Sequence, residues 1–273
     1  MAVVTISRQV AALGDEIGIE AEKALGYKFI RKEDLESRIV KLGFPSEKLP
    51  KYDEKKPGFF ASLVKDRDEY LQYLQTAVLE AASENNCILI GRGTHVILEK
   101  IPSLISFRLI APLDIRLQRL MNEFNWNEKQ AKARIDESDA NRRGFDKSFF
   151  DVDIDDATHF HLVLNTGILN AREGGEIIAS LVRTTITKEK DESGLEKIKT
   201  MLTAQRLVNK LIFEHNIAIE FLRAIISDKT ITLQGVADSS AVVEQAIALS
   251  AKAMPDYTIQ SSISIVQDFK AYQ

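Results

Sequence analysis

Arginines and glycines are the residues of this chain whose spacing suggests chemistry, and that chemistry is phosphate binding. Ser7-Arg8-Gln9-Val10-Ala11-Ala12-Leu13-Gly14-Asp15-Glu16 joins the short run Val3 to Ile6 to a helical pattern reaching Ala24. A strand, a tight turn and a helix N-terminus form the place where α/β proteins hold phosphate, through backbone N–H groups and the helix dipole. Ser7, Arg8 and Gly14 are the residues set to do so. The loop G-x-x-x-x-G-K-[ST] is absent, however. Gly14 is the segment's one glycine, it has no lysine, and Asp15 and Glu16 place two negative charges at the helix start. An ordinary strand-to-helix turn explains the segment at least as readily.

Two further groups could share that task. Gly91-Arg92-Gly93 follows the apolar run Cys87 to Ile90. Ligands of parallel sheets lie beyond the carboxyl ends of the strands, so Arg92 is expected to face a crevice. Gly91 and Gly93 let the backbone approach a ligand, and the guanidinium can hold a phosphate bidentately. The alternative is a turn with an exposed arginine. The third group is Arg116, Arg119, Arg134, Arg142 and Arg143, on helices flanking Asn125-Trp126-Asn127. Arg116 and Arg119 share a helix face, and Asp139 can pair with Arg142 or Arg143. Such charges ordinarily make a solvated surface; beside phosphate they neutralise charge developing in phosphoryl transfer.

Other motifs do not assemble into sites. Asp151-Val152-Asp153-Ile154-Asp155 lacks the glycine and terminal glutamate of a calcium loop. His159 and His161 have no second ligand cluster, so no metal site is expected. Cys87, the one cysteine, sits inside an apolar run and reads as a buried thiol, with no disulfide to form. No Ser-His-Asp or Cys-His arrangement stands out.

The elements that must position these residues follow from hydrophobic patterning. Val3 to Ile6, Cys87 to Ile90, Ile105 to Ile110 and Leu162 to Leu164 are short apolar or β-branched runs, suited to strands buried on both faces of a parallel sheet. Leu71, Leu74, Val78, Leu79 and Ala82 recur at helical spacing between two of them. Alternation of this kind predicts an α/β sheet with crossover helices. The polar stretch Thr184 to Gly194 reads as a linker. Beyond it the pattern predicts a helix from Leu195 to Leu211, strands at 218–226 and 230–234, a helix capped by Ser239 or Ser240, and a strand at 259–265. That α-β-β-α-β order is a second, small α+β unit.

Composition narrows the classes. In 273 residues, 45% hydrophobic, 36 Lys and Arg stand against 40 Asp and Glu, a formal charge of −4. A folded chain with a nearly balanced surface is expected, which argues against a dedicated nucleic-acid binder. No apolar run approaches the ~18 to 20 residues of a membrane span, and the start lacks a signal pattern, so the expected location is cytoplasmic.

Taken in order, these segments resemble the cytidylate kinase-like family of P-loop nucleoside monophosphate kinases. The carriers are Ile6-Ser7-Arg8-Gln9, Ile90-Gly91-Arg92-Gly93-Thr94-His95, Ala111-Pro112-Leu113 with Arg116 and Arg119, Asp139-Ala140-Asn141-Arg142-Arg143, and His161-Leu162-Val163-Leu164-Asn165-Thr166-Gly167. The resemblance covers residues 1 to about 183. It implies a P-loop kinase-like three-layer domain, five parallel strands with a mobile lid, over 1–186. It also implies transfer of the γ-phosphoryl group of ATP to CMP or a related nucleotide, with Mg²⁺. In that scheme Arg92 contacts the acceptor phosphate, and Arg142, Arg143 and Arg119 act on the transferring group. The chain departs from the family at the first loop, where Gly-Ser-Gly-Gly is replaced by Ala11-Ala12-Leu13-Gly14; the added side chains are expected to restrict its backbone. Gly14 stands where many P-loop kinases have lysine, Glu16 where they have the Mg²⁺-binding Ser or Thr, and Arg31-Lys32 where the family has an Asp-Arg pair.

Residues 194–273 resemble a BON domain through element order and Ile231-Thr232-Leu233-Gln234-Gly235-Val236-Ala237-Asp238-Ser239. That family implies a ligand or protein contact. Two functions therefore stand: a nucleoside monophosphate kinase with a degenerate P-loop, or a non-catalytic regulator binding a nucleotide or a phosphorylated small molecule. A purely structural role would leave the arginines without a shared task.

Overall fold

The structure, a computed structural model, describes residues 2–52 and 64–266. Elements follow in the order β1 (Val3–Arg8), α1 (Gly14–Leu25), β2 (Lys28–Ile30), α2 (Lys32–Lys41), α3 (Val64–Ser83), β3 (Cys87–Ile90), α4 (Thr94–Ile97), β4 (Leu104–Ile110), α5 (Leu113–Phe124), α6 (Glu128–Phe150), β5 (Leu162–Asn165), α7 (Ala171–Thr185), α8 (Lys188–Asn209), β6 (Glu220–Ser227), β7 (Thr230–Ala237), α9 (Ser240–Ala253) and β8 (Thr258–Ile265). They form two compact units, Met1–Glu196 and Lys197–Gln273.

The first unit is built on a parallel sheet of order β2-β3-β1-β4-β5. Central β1 pairs with both β3 (Val3 opposite Cys87) and β4 (Val3 opposite Leu104). Consecutive residues Val3, Val4, Thr5 and Ile6 are all buried, as are Cys87 to Ile90, so the sheet is covered on both faces. This is why these strands read as continuous apolar runs. On one face Val4, Ile6, Ile88, Ile105 and Phe107 pack with Ile17 and Ala21 of α1 and Ile178 and Val182 of α7. Parallel order brings the loops after β1, β3, β4 and β5 to one edge, where the arginines also gather.

The segment Thr184 to Gly194, expected as a linker, is almost wholly helical: Ile186 and Thr187 alone separate α7 from α8. Lys and Glu are good helix formers, and their polarity by itself does not specify a loop. Thr187 Oγ1 accepts from the Lys190 N–H, and Lys188 lies 3.6 Å from Glu192 across one turn. Asp191 is buried and accepts from Asn85 Nδ2 at 3.2 Å, while a Cβ on Gly194 would meet Ser103 Oγ at 2.0 Å. These residues are packed against the first unit, whose boundary falls after Glu196.

In the second unit β6 and β7 are antiparallel, and β8 pairs parallel to β7 after the α9 crossover. Leu222, Ile231, Leu233 and Ala246 form its core with Leu207, Val208 and Leu211. The alternation expected at 230–234 runs on to Ala237, and a bulge between Glu220 and Arg223 puts Phe221 at φ 53°. No described helix is long and apolar enough to cross a membrane.

Candidate functional site

The loop between β1 and α1 is defined by the handedness of its backbone. Ala11 and Leu13 both adopt φ 58°, the left-handed region. These are positions where the resembled family has glycine, and the loop takes the left-handed conformation there with side chains present. An L-residue pays roughly 1–2 kcal/mol there, and such strain persists only when the surroundings impose it.

The surroundings do impose it. Arg116 Nε on α5 donates to the Val10 carbonyl at 2.9 Å, and one turn later Arg119 Nη1 donates to the Ala11 carbonyl at 2.9 Å. Arg119 also reaches the Thr166 carbonyl at 2.7 Å and its hydroxyl at 3.1 Å, joining the loop to the end of β5. Gln9 closes the other side: its N–H donates to the Leu109 carbonyl, and its Oε1 accepts from the Ala111 N–H. Arg116 further pairs with Asp139 of α6 at 2.7 Å. Of the residues expected at the phosphates, Arg116 and Arg119 bond to carbonyls of the loop and Asp139 pairs with Arg116. Burial pushes the Arg119 guanidinium below its ordinary pKa, with Glu16 opposing.

In front of the loop lies a cleft of about 550 Å³, lined by Arg8, Gly14, Asp15, Glu16, Arg134 and Arg142 among others. The stem of Arg8 crosses the start of α1 so closely that a Cβ on Gly14 would lie 2.7 Å from Arg8 Cγ. Gly14 is thus required for close approach, and Arg8 carries positive charge to a helix end that is itself electropositive. Arg142 Nη1 donates to Ser138 Oγ at 2.9 Å. Asp15 and Glu16 complement the helix dipole but oppose an anion entering from the cleft.

Arg92 is placed differently. Gly91, Arg92 and Gly93 form a left-handed run, φ 75°, 57° and 65°, which turns the guanidinium inward. Its side chain is fully buried rather than facing a crevice: Nη1 donates to the Tyr52 carbonyl (2.5 Å) and Tyr70 hydroxyl (2.6 Å), and Nη2 pairs with Glu36. Tyr52 and Tyr70 stack 4.4 Å apart beneath Phe44 and Phe149. A buried cation must be paired, and this one takes its partners from the protein.

Sequence reasoning passed over Arg108, the one charged residue within apolar β4. It is buried, donating to Ser7 Oγ at 3.0 Å and Asp155 Oδ1 at 3.0 Å. Arg143, half exposed, meets the same Asp155 carboxylate at 3.6 Å. Ser7 and Arg143 thus belong to a polar network behind the loop. Burial lowers the Arg108 pKa, with Asp155 opposing. A lone arginine in a strand buried on both faces was the available signal. Nearby, His95 stacks 4.7 Å from Phe160, and burial pushes its pKa down to about 3. Cys87 is a buried thiol, pushed up to about 12.

The arrangement is a strained loop at a helix N-terminus, opening on a cleft with three arginines and backed by two more. Comparison with known proteins puts a family to it. The chain covers 99% of an uncharacterized protein from Eubacterium ventriosum, which covers 67% of this chain at 16% identity and TM-score 0.53. Weaker likenesses include shikimate kinase from Acinetobacter baumannii in complex with shikimate (16% identity, 69% of this chain and 96% of that one, TM-score 0.38). Dephospho-CoA kinase from Campylobacter jejuni is similar at 12% identity, over 67% of this chain and 98% of that one, TM-score 0.39. No curated protein matches by sequence. The model of the cytidylate kinase-like family matches residues 3–168, more than half of the chain and every element from β1 to β5, and the chain belongs to that family.

Proposed function

We propose that the protein is a nucleotide kinase-like protein: it holds the phosphates of ATP before the β1–α1 loop and transfers the γ-phosphoryl group to CMP or a related nucleotide. The observation that carries this reading is the loop itself. Ala11 and Leu13 are left-handed, Arg116 and Arg119 hold the Val10 and Ala11 carbonyls, and strain of this kind clusters at ligand sites.

Phosphoryl transfer asks a protein mainly to position two phosphates and neutralise their charge in a site closed to water. Arg8 and Arg142 line the cleft and supply that charge. Arg116, Arg119 and Asp139 fix the loop and bind α6 to α5, so the part that would close stays in register with the part that binds. Mg²⁺ is the ion the family reading implies, and it would screen phosphate charge; Asp15, Glu16 and Glu123 are the carboxylates that line the cleft. The BON-like reading of 194–273 would add a ligand or protein contact.

The second reading, a non-catalytic nucleotide-binding regulator, is favoured by the burial of Arg92, whose guanidinium is engaged by Glu36, Tyr52 and Tyr70. Calorimetric titration of ATP and CMP, with and without Mg²⁺, paired with ADP production, separates the two. ATP binding with CMP-dependent ADP release supports the kinase. Binding without turnover supports the regulator, and no binding of any nucleotide overturns both.

A further inference from the structure

Phe124 has no evident structural task. It is the last residue of α5, 49% exposed, and lines the cleft that holds Arg8, Arg134 and Arg142. One face of its ring stacks on Trp126, with centroids 4.6 Å apart and planes 24° from parallel. Trp126 is anchored: it packs against Leu120, Ala131 and Ile135, together with Val10 and Ala11 of the loop. Asn125 between the two rings takes φ 54°, the left-handed cap that ends α5. That cap explains Trp126, whose packing back on the helix is the usual hydrophobic contact of such a terminus. It does not explain a half-exposed phenyl ring on the cleft side.

We propose that Phe124, backed by Trp126, is a stacking platform for the base of the nucleotide whose phosphates lie before the β1–α1 loop. The inference rests on the nucleotide-binding reading above and specifies which part of the ligand is recognised where. The cleft combines the two chemistries a nucleoside polyphosphate requires, cationic groups for phosphate and an aromatic face for a planar base. Its size suits a small-molecule ligand. Val10 and Ala11 of the loop pack on the same Leu120, Ala131 and Ile135 cluster as Trp126, which links the two halves. Stacking tolerates any base, so the class assigned is a nucleoside polyphosphate, without a choice among bases.

Trp126 is the chain's one tryptophan and reports on the platform directly. Its emission is followed while the full-length protein is titrated with ATP, CTP and, as a base-free probe, inorganic tripolyphosphate; calorimetry supplies affinities. The expectation is that both nucleotides change the emission and bind more tightly than tripolyphosphate. Phe124→Ala should weaken the nucleotides roughly 5- to 100-fold while leaving tripolyphosphate within about twofold, and Phe124→Tyr should restore them. Circular dichroism checks that each variant is folded. Nucleotide affinity unchanged in folded Phe124→Ala overturns the platform and leaves the phosphate site standing. Equal loss for tripolyphosphate also overturns it, because Phe124 would then act on the loop rather than on a base. Failure of tripolyphosphate and both nucleotides to bind the wild-type protein removes the underlying reading and the platform with it.

Discussion

Replacing Arg92 should unfold the protein more than it weakens a ligand. Its guanidinium is fully buried, donates to the Tyr52 carbonyl and Tyr70 hydroxyl, and pairs with Glu36, whose side chain is 24% exposed. Arg92→Ala removes the hydrogen bonds to the buried Tyr70 hydroxyl and Tyr52 carbonyl, each about 1–3 kcal/mol, and the packing of the guanidinium stem. Breaking a buried pair costs about 3–5 kcal/mol, and a loss at the lower end is expected here because Glu36, 24% exposed, can recover some hydration. Glu36→Gln keeps an acceptor near Arg92 but removes the counter-charge, so about 2 kcal/mol is expected, the scale of a charged hydrogen bond. Both are large against the ~5–15 kcal/mol that holds an ordinary domain folded. Urea unfolding followed by circular dichroism measures the loss, with CMP titrated calorimetrically into whatever remains folded. If Arg92→Ala kept the wild-type urea midpoint while losing CMP affinity more than tenfold, the guanidinium would have to leave its buried partners to hold phosphate. The structural reasoning would then be refuted.

The remaining predictions concern the loop, the neighbouring turn and acid. Ala11→Gly should relieve roughly 1–2 kcal/mol of left-handed strain and forfeit about 0.5–1 kcal/mol to the freer unfolded chain, leaving the urea midpoint unchanged or slightly raised. A clear drop would mean that the Ala11 methyl contributes packing instead. Gly93→Ala should destabilise by about 2–4 kcal/mol, because φ is +65° and the new Cβ would lie 2.1 Å from Phe150 Cε2; wild-type stability would disprove the contact. His95 is held neutral in the folded state, with a pKa near 3 against 6.5 when unfolded. The stability that depends on neutral His95 is complete above pH 6.5 and declines as pH falls toward 3, since the unfolded chain takes up the proton first. His95→Gln should flatten the urea midpoint between pH 6.5 and 4; an unchanged slope would place the titration elsewhere.

Residue order alone determined much of the fold. The apolar runs of β1, β3, β4 and β5 are recognisable because a strand covered on both faces must be apolar at consecutive positions. The ordered motifs from Ser7 to Gly167 carry the family in the same way, because each turn lies within a few residues of the strand that positions it. The second unit's α-β-β-α-β order is equally local, set by alternation; Ser239 stands at the start of α9, but its hydroxyl donates to Asp238 instead of capping the helix. Three things were decided only by the tertiary structure. Whether a polar run is a linker or a helix depends on what it packs against: Asp191 and Gly194 meet Asn85 and Ser103, about a hundred residues earlier. The left-handed turn at Ala11 and Leu13 runs against local preference, and the Val10 and Ala11 carbonyls beside it are held by Arg116 and Arg119 from α5. The destination of each arginine was likewise undetermined, because a long side chain with several donors can reach partners that no spacing rule names. Arg92 finds Glu36, Tyr52 and Tyr70, Arg108 finds Ser7 and Asp155, and Arg8 and Arg142 remain on the cleft. Periodicity records which face of an element is buried, whereas the pairing of buried charge is settled by whichever distant groups the packed chain brings within hydrogen-bonding distance.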